Sequence, residues 1–192
     1  DQLEIQIDQF DQIRPIKYRS EDTAVIIYTS GTTGNPKGVM LSYANLEANL
    51  QGVCHDVQIY KAERQVLLLL PLHHVFPLMG SLVAPFHVGA TIVLSPTMQS
   101  SDLLDTLKNN KVSIMIGVPR LYEMIHKSLK VKITSSFVGK VALKLLSIAP
   151  NPKLARKVFK KVHEGFGGHI EIMVTGGAAI PIETLKFFQT LG

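Results

Sequence analysis

The sequence contains a single cysteine, Cys54, among its 192 residues. A disulfide within the chain is therefore excluded, which is typical of a protein from a reducing compartment, and we expect a cytoplasmic location. Apolar residues make up 46% of the chain and charged residues 18%, so a buried core can form and extensive disorder is excluded. Because it begins with Asp1 and ends at Gly192 just after an apparent helix, we expect a piece of a longer protein.

Charged residues are missing from residues 65–101, where no Asp, Glu, Lys or Arg occurs. A membrane-spanning helix needs about 20 predominantly apolar residues in a row. Four prolines, Pro71, Pro77, Pro85 and Pro96, and three histidines interrupt this stretch. We therefore interpret it as a buried strand, a pocket loop and a core helix rather than a membrane span.

Acidic residues are missing from residues 127–161, which carry ten Lys and Arg, whereas the rest of the chain has ten bases and fifteen acids; the positive net charge of +5 therefore arises from this segment. Residues 137–146 within it predict an amphipathic basic helix with Lys140 and Lys144 on one side. Such helices favour anionic membrane surfaces, so peripheral membrane association is one hypothesis. A solvated helix face with acidic partners elsewhere is the alternative. Nucleic-acid binding is not expected, because few aromatic residues are present for base stacking.

Strand patterns alternate with helical patterns along most of the chain. Short apolar runs predict strands at residues 24–29, 66–70, 91–94, 112–118 and 170–174. Helices are predicted at residues 42–54, 78–88 and 102–109 and after Pro119 and Pro181. This alternation predicts an α/β fold with a largely parallel sheet. Residues 1–20 are interpreted as a strand plus a linker.

A loop at residues 30–38 follows the first of these buried strands and has the chemistry of a phosphate site. Glycines let backbone N–H groups approach a bulky anion. The side chains of Thr29, Ser30, Thr32 and Thr33 can donate hydrogen bonds to phosphate, and Lys37 adds a positive charge. A flexible surface loop is the alternative. The nucleoside-triphosphatase P-loop is excluded, because Gly38 follows Lys37 where Ser or Thr is required.

The run from Thr29 to Gly38, Thr-Ser-Gly-Thr-Thr-Gly-Asn-Pro-Lys-Gly, resembles the signature loop of the adenylate-forming superfamily at every fixed position. This superfamily includes acyl-CoA synthetases, luciferases and peptide-synthetase adenylation domains. The resemblance implies that the loop grips the β- and γ-phosphates of ATP. The residues that would carry this role are Thr29, Ser30, Gly31, Thr32, Thr33, Gly34 and Lys37.

Three further stretches resemble superfamily motifs in the same order. Pro71–Phe76 resembles a pocket motif in which His74 would line the acyl pocket, whereas His73 would point to the other side of an extended backbone. These two histidines are not expected to bind zinc, because the sequence has no third or fourth ligand at the spacing of a zinc site. Val118 and Pro119 would lie around the same pocket. Gly176, Gly177, Ala178 and Ala179 resemble the backbone that lines adenine, although Ala179 stands where proline is usual. Core packing remains the alternative for His74, Val118 and Pro119.

The resemblance implies a partial N-terminal AMP-binding domain over residues 1–192, with a basic helical insertion at residues 127–168 that is typical of long-chain fatty acyl-CoA synthetases. The implied substrates are ATP, a fatty acid and coenzyme A, with Mg²⁺ as cofactor. In the superfamily, a Thr-Glu motif that holds Mg²⁺ and a catalytic lysine follow the stretch matched here. We therefore expect the 192-residue chain not to catalyse alone and to contain no metal ligand.

Two other functions remain open. One is an amino-acid or aryl-acid adenylation domain with another acceptor. The other, from a non-enzyme class, is a membrane-surface binding module built on residues 127–161.

Overall fold

The computed structural model describes residues 17–29, 35–97 and 99–192. The chain divides into two compact units, Asp1–Glu47 and Ala48–Gly192. The strand and linker predicted at residues 1–20 fall largely outside the described residues, and the described residues 17–20 contain no strand.

The first unit is built on an antiparallel hairpin of β1 (Thr23–Thr29) and β2 (Lys37–Ser42), with Thr29 opposite Lys37 and Thr23 opposite Ser42. The prediction of a strand at residues 24–29 is confirmed, but the prediction that it is buried is wrong, since Tyr28 is 70% exposed. A short apolar run shows that a strand forms and leaves open which faces are covered. The loop predicted at residues 30–38 is also shorter than expected, because Lys37 and Gly38 belong to β2.

Glycine at position 38 allows close packing inside this hairpin. Gly38 lies opposite Tyr28 in the ladder, and a Cβ atom there would stand 2.9 Å from Ile26 Cγ2 and 3.5 Å from the Tyr28 ring. The first of these distances is shorter than van der Waals contact. Any larger residue would therefore require the Ile26 side chain to move.

Helix α1 (Tyr43–Leu50) follows β2 directly. The Ser42 hydroxyl accepts a hydrogen bond from the Asn45 N–H at 3.3 Å, and the Asn45 side chain accepts one from the Ser42 N–H at 3.0 Å. This reciprocal pair satisfies N–H groups that the first helical turn leaves free, as expected of a cap at Ser42. The helix continues as a π-helical stretch, Gln51–Asp56, so the predicted end near Cys54 is confirmed.

The second unit contains a four-stranded sheet in the order β4-β3-β5-β6, and every neighbouring pair is parallel. Its strands are β3 (Gln65–Leu68), β4 (Thr91–Leu94), β5 (Ile114–Gly117) and β6 (Ile172–Thr175). Each lies inside or within one residue of a predicted strand. The parallel α/β fold predicted from the alternating patterns is therefore confirmed for this unit.

Helices connect these strands, as parallel pairing requires, and a last helix follows β6. They are α2 (Val75–Pro77), a π-helical turn (Leu78–Val83), α3 (Ala84–His87), α4 (Ser100–Asn109), α5 (Pro119–Thr134), α6 (Phe137–Ile148), α7 (Pro152–Val158), α8 (Lys160–Gly165) and α9 (Ile182–Leu191). Pro119 is the first residue of α5, where its missing N–H costs no hydrogen bond. The basic helix predicted at residues 137–146 is confirmed as α6.

The central strand β5 is buried along its whole length. Its side chains alternate between the two faces of the sheet: Ile114 and Ile116 join one apolar cluster with Val66, and Met115 joins the other with Leu67. Both faces are therefore covered, as is typical of parallel sheets. Cys54 lies in the first cluster, where burial raises the pKa of its thiol.

The helices of the basic segment and α9 share a third apolar cluster, which contains no residue of the sheet. Its members are Ile133, Leu146, Ala155, Phe159, Phe187 and Leu191. Among the described residues, no helix combines the length and the apolar character that crossing a bilayer requires.

His126 in α5 provides a pH test of this helical packing. Its ring is buried, stacks on Phe187 with centroids 4.2 Å apart, and lies 3.0 Å through Nδ1 from the Thr184 hydroxyl. Burial lowers the pKa of His126, and nearby Lys130 lowers it further, against a smaller opposing effect of Glu183. The folded state therefore holds the neutral ring, whereas the unfolded chain takes up a proton below about pH 6.5.

We expect the free energy of unfolding to fall as the pH drops below about 6.5, because the unfolded state then binds more protons. The substitution His126→Gln keeps a polar side chain but cannot titrate, so it should flatten this dependence. Urea unfolding between about pH 8 and pH 5 measures both slopes. Equal slopes in the two proteins would show that His126 does not contribute.

Candidate functional site

The predicted site residues of the second unit follow the carboxyl ends of three neighbouring strands. His74 comes six residues after the end of β3, Val118 comes directly after β5, and the turn of residues 176–179 comes directly after β6. Because these strands are parallel and adjacent in the sheet, all three stretches lie at its carboxyl edge. This edge is where open α/β sheets bind their ligands.

A direct contact joins two of these stretches. A Cβ atom at Gly176 would stand 2.8 Å from the ring of Phe76, so this ring lies against the backbone of the turn after β6. Phe76 is partly buried and packs against the apolar cluster that contains Ile114 and Ile116. The pocket motif around His74 and the glycine turn are thus held together by an aromatic ring packed on a residue without a side chain.

The hydroxyl of Tyr122 ties α5 to the ends of β5 and β6. Its oxygen lies 2.8 Å from the carbonyl oxygen of Met115 and 3.0 Å from that of Val174. Burial raises the pKa of Tyr122, so the hydroxyl keeps its proton and acts as a donor to these carbonyl groups. The same ring would lie 2.9 Å from a Cβ at Gly117, which explains glycine at the end of β5.

Val118 and Pro119 stand between β5 and α5 with different surroundings. Pro119 is buried as the first residue of α5, whereas Val118 is 37% exposed. Val118 therefore presents apolar surface at the carboxyl edge, and Pro119 contributes chiefly by fixing the start of the helix.

The segment Pro71–Phe76 is not extended throughout: His73 lies in a turn, and His74, whose own backbone is extended (φ −105°, ψ 140°), lies at a bend directly before α2. Their rings touch, with centroids 4.2 Å apart and planes tilted by 47°, and both side chains are exposed. The expectation that they point to opposite sides depended on an extended backbone, and it is wrong for this reason. His74 immediately precedes α2, and its carbonyl accepts a hydrogen bond from the N–H of Leu78 at 3.1 Å.

The turn after β6 exposes its backbone, and the residue before it, Thr175, has a hydroxyl without a hydrogen-bond partner among the described residues. Gly177 has φ of +81°, a conformation that favours glycine, and the residues from Gly177 to Ala179 are exposed. The Thr175 hydroxyl just before this turn is buried and has no hydrogen-bond partner among the described residues. A buried hydroxyl without a partner is unfavourable, so Thr175 requires a polar partner that the described residues do not supply.

In the first unit, the paired ends of β1 and β2 flank the predicted phosphate loop. The Thr29 hydroxyl lies 3.4 Å from the Lys37 carbonyl oxygen across the last pair of the ladder, and the Lys37 side chain is exposed. The predicted phosphate ligands Ser30, Gly31, Thr32, Thr33 and Gly34 lie outside the described residues. Their role stays a prediction, supported by two anchored loop ends.

No group of three or more His, Cys, Asp or Glu side chains that could hold a metal ion occurs within residues 17–29, 35–97 and 99–192. The described residues therefore do not fit a Mg²⁺ site of their own.

Comparison with known proteins identifies the family. The sequence profile of the AMP-binding enzyme family matches residues 2–192. The long-chain-fatty-acid–CoA ligase 4 of Saccharomyces cerevisiae is 34% identical over 187 residues, covering 90% of this chain and 27% of the relative. The human long-chain-fatty-acid–CoA ligase ACSBG2 is 33% identical over 193 residues, covering 90% of this chain and 29% of the relative. The chain thus spans less than a third of the length of these relatives.

Solved structures support the same fold. A malonyl-CoA ligase, solved as a ternary product complex with methylmalonyl-CoA and AMP, superposes with a TM-score of 0.64 at 24% identity over 90% of this chain and 31% of that one. ATP-bound MatB from Rhodopseudomonas palustris gives a TM-score of 0.63 at 22% identity, over 90% and 28%. At these low identities, the superpositions establish a shared fold and nothing further.

Sequence reasoning missed three residues at the carboxyl edge: Phe76, Tyr122 and Thr175. Phe76 lies inside the motif Pro71–Phe76, but its contact with Gly176 joins residues 100 positions apart. The two carbonyl partners of Tyr122 become visible only when β5 and β6 are placed side by side. The glycine pair after Thr175 could have indicated that another side chain packs closely on this backbone, as Phe76 does on Gly176.

The substitution Gly176→Ala should destabilise the second unit by about 1–3 kcal/mol, because the new methyl group overlaps the packed ring of Phe76. Gly52→Ala is the matched control, since a Cβ there meets nothing within 4 Å. Adding Phe76→Leu should recover part of the loss, and a double-mutant cycle in urea measures this coupling. Equal costs of Gly176→Ala with and without Phe76→Leu would contradict the contact.

Proposed function

This chain belongs to the AMP-binding enzyme family, and from that premise we propose that the whole protein is an ATP-dependent acyl-CoA synthetase acting on fatty acids. The observation that carries the proposal is the complete signature loop from Thr29 to Gly38, together with the three further motifs that follow strands of one parallel sheet.

The proposed chemistry has two steps. A carboxylate oxygen of the acid attacks the α-phosphorus of ATP, the bond to pyrophosphate breaks, and an acyl-adenylate forms. The thiol sulfur of coenzyme A then attacks the acyl carbon, the thiol proton is lost, and AMP leaves as the thioester forms. The protein contributes to the first step by positioning the reactants and neutralising phosphate charge.

The residues at the two ends of the phosphate loop would act on the pyrophosphate part of ATP. Lys37 begins β2 and carries an exposed ammonium group, which would neutralise charge on the β- and γ-phosphates. The Thr29 hydroxyl and the donors of residues 30–34 would hold the same oxygens. The rigid ladder below them supports this role, because it holds both loop ends.

The residues at the carboxyl edge would bind the rest of the substrates. The backbone of residues 176–179 would lie against adenine, and the exposed left-handed turn at Gly177 leaves that backbone open to a flat ring. His74, Val118 and Pro119 would border the acyl group. The Thr175 hydroxyl, which has no hydrogen-bond partner among the described residues, would donate a hydrogen bond to the bound nucleotide.

The fatty-acid substrate is supported by the two relatives above, both named long-chain-fatty-acid–CoA ligases. The basic helices at residues 127–161 are compatible with a protein that meets lipid. We therefore propose a cytoplasmic enzyme that works at a membrane surface. Mg²⁺ belongs to the proposal through the family resemblance alone, and no step here depends on it.

Acid-dependent exchange of pyrophosphate into ATP, measured on the whole protein, tests this function. We expect exchange with long-chain fatty acids and little with amino acids or aryl acids, which are the substrates of the alternative adenylation domains. Lys37→Met should lower the exchange rate about 10²–10³-fold, as the loss of a donor to transition-state charge does. Lys108→Met, at an exposed position of α4, is the matched control.

An unchanged exchange rate in Lys37→Met would contradict the proposal that the loop binds the phosphates of ATP. Exchange that depends on an amino acid or aryl acid would redirect the substrate assignment and leave the adenylation step intact.

A further inference from the structure

Helix α6 displays an apolar surface to solvent. Five large apolar side chains on it are exposed, among them Phe137 at 80%, Ile148 at 73% and Leu145 at 62%; the other two are Val138 and Val141. At about 100° per residue these five positions fall within an arc of about 100° on one side of the helix. We call these five side chains the apolar arc.

The opposite side of α6 is packed into the protein. Leu146 is buried in the helical cluster with Ile133 and Phe187, and Ala142 and Leu143 pack against the same cluster. The Ser136 hydroxyl accepts a hydrogen bond from the Gly139 N–H at 3.0 Å and caps the helix. The helix is therefore held in place, and the exposure of the apolar arc is a property of its orientation.

Positive charge borders the apolar arc on one side. Lys140 and Lys144 occupy the helix positions next to it, and both are exposed. They also line a groove of about 410 Å³ between α5, α6 and α9, where Lys130 and Lys186 add two further ammonium groups and Glu183 is the one acidic side chain among the lining residues. A surface that meets this side of α6 must supply negative charge beside an apolar layer.

An anionic membrane surface has this arrangement. Lipid phosphates and carboxylates lie next to acyl chains, and amphipathic helices with basic flanks lie in that boundary. We propose that α6 docks the protein on anionic membranes, with the apolar arc among the acyl chains and the four lysines at the headgroups. The absence of Asp and Glu throughout residues 127–161 supports this occupant, because no acidic side chain of the segment repels the lipid. This inference goes beyond the proposed catalytic function and does not depend on it.

Vesicle flotation of the whole protein tests the docking surface. We expect binding to vesicles of phosphatidylcholine mixed with phosphatidylserine, weak binding to phosphatidylcholine alone, and a loss of binding as salt is raised. Replacing both Lys140 and Lys144 by Gln should weaken binding roughly 30-fold, since each cation near the surface contributes about a factor of five. Leu145→Ser should weaken it roughly tenfold through lost apolar burial.

Matched control variants distinguish binding through α6 from non-specific binding to vesicles. Val57→Ser removes an apolar side chain that is 68% exposed elsewhere, and Lys108→Gln removes an exposed cation of α4; neither should change vesicle binding. Thermal unfolding confirms that each variant is folded. Vesicle binding that is absent, that ignores lipid charge, or that responds equally to the control variants would overturn the proposal.

A probe at position 145 distinguishes lipid from protein as the occupant. In Leu145→Cys, an environment-sensitive fluorophore should be in water without vesicles and shift to the blue with anionic vesicles. The native Cys54 is buried and should remain unlabelled. A label that already reports apolar surroundings before vesicles are added would show that another part of the protein, or a second copy, covers the apolar arc, and it would overturn the proposal.

Discussion

The burial of β5 on both faces is the constraint on which the second unit depends. Ile114, Met115 and Ile116 are at most 1% exposed, and burying each side chain contributes about 1.5–3 kcal/mol as an upper estimate. A hydrogen bond such as that of the Tyr122 hydroxyl contributes about 0.5–1.5 kcal/mol net. Apolar burial is therefore the larger contribution, and it places β5 in the interior of the sheet. The Tyr122 hydroxyl makes a smaller contribution by joining β5 to β6. Parallel pairing then brings the loops after β3, β5 and β6 to one edge.

The distribution of charge along the chain follows this architecture. The uncharged stretch at residues 65–101 supplies β3, the helices after it and β4, which are largely occupied in packing against the sheet. The acid-free stretch at residues 127–161 supplies helices that pack on one another away from the sheet. The uncharged stretch and the cationic stretch thus occupy separate elements, although the cationic helices also have an apolar cluster of their own. The cationic helices therefore lie apart from the carboxyl edge where the predicted site residues of this unit lie.

The sequence predicted the positions of strands and helices better than it predicted their burial and their packing partners. Thr91–Leu94 and the start of α5 at Pro119 agree with the structure, because a β-branched run and a proline each have a strong local preference. The burial expected for β1 was wrong: β1 pairs with β2, a strand that was not predicted and whose first residues, Lys37 and Gly38, were assigned to the loop. The packing of Phe76 on Gly176 could not be derived from local preference, because it arises only when the ends of β3 and β6 come to the same edge.

The central claim is that residues 71–78, 118–119 and 175–179 form one binding site at the carboxyl edge of the sheet. Hydrogen–deuterium exchange of the whole protein with and without AMP tests it most directly. Exchange should slow together at residues 71–78 and 174–180 when AMP is added, and it should stay unchanged at the opposite edge, at residues 61–65 and 111–113, where β3 and β5 begin. Protection confined to the opposite edge, or AMP binding without protection at residues 174–180, would contradict the account.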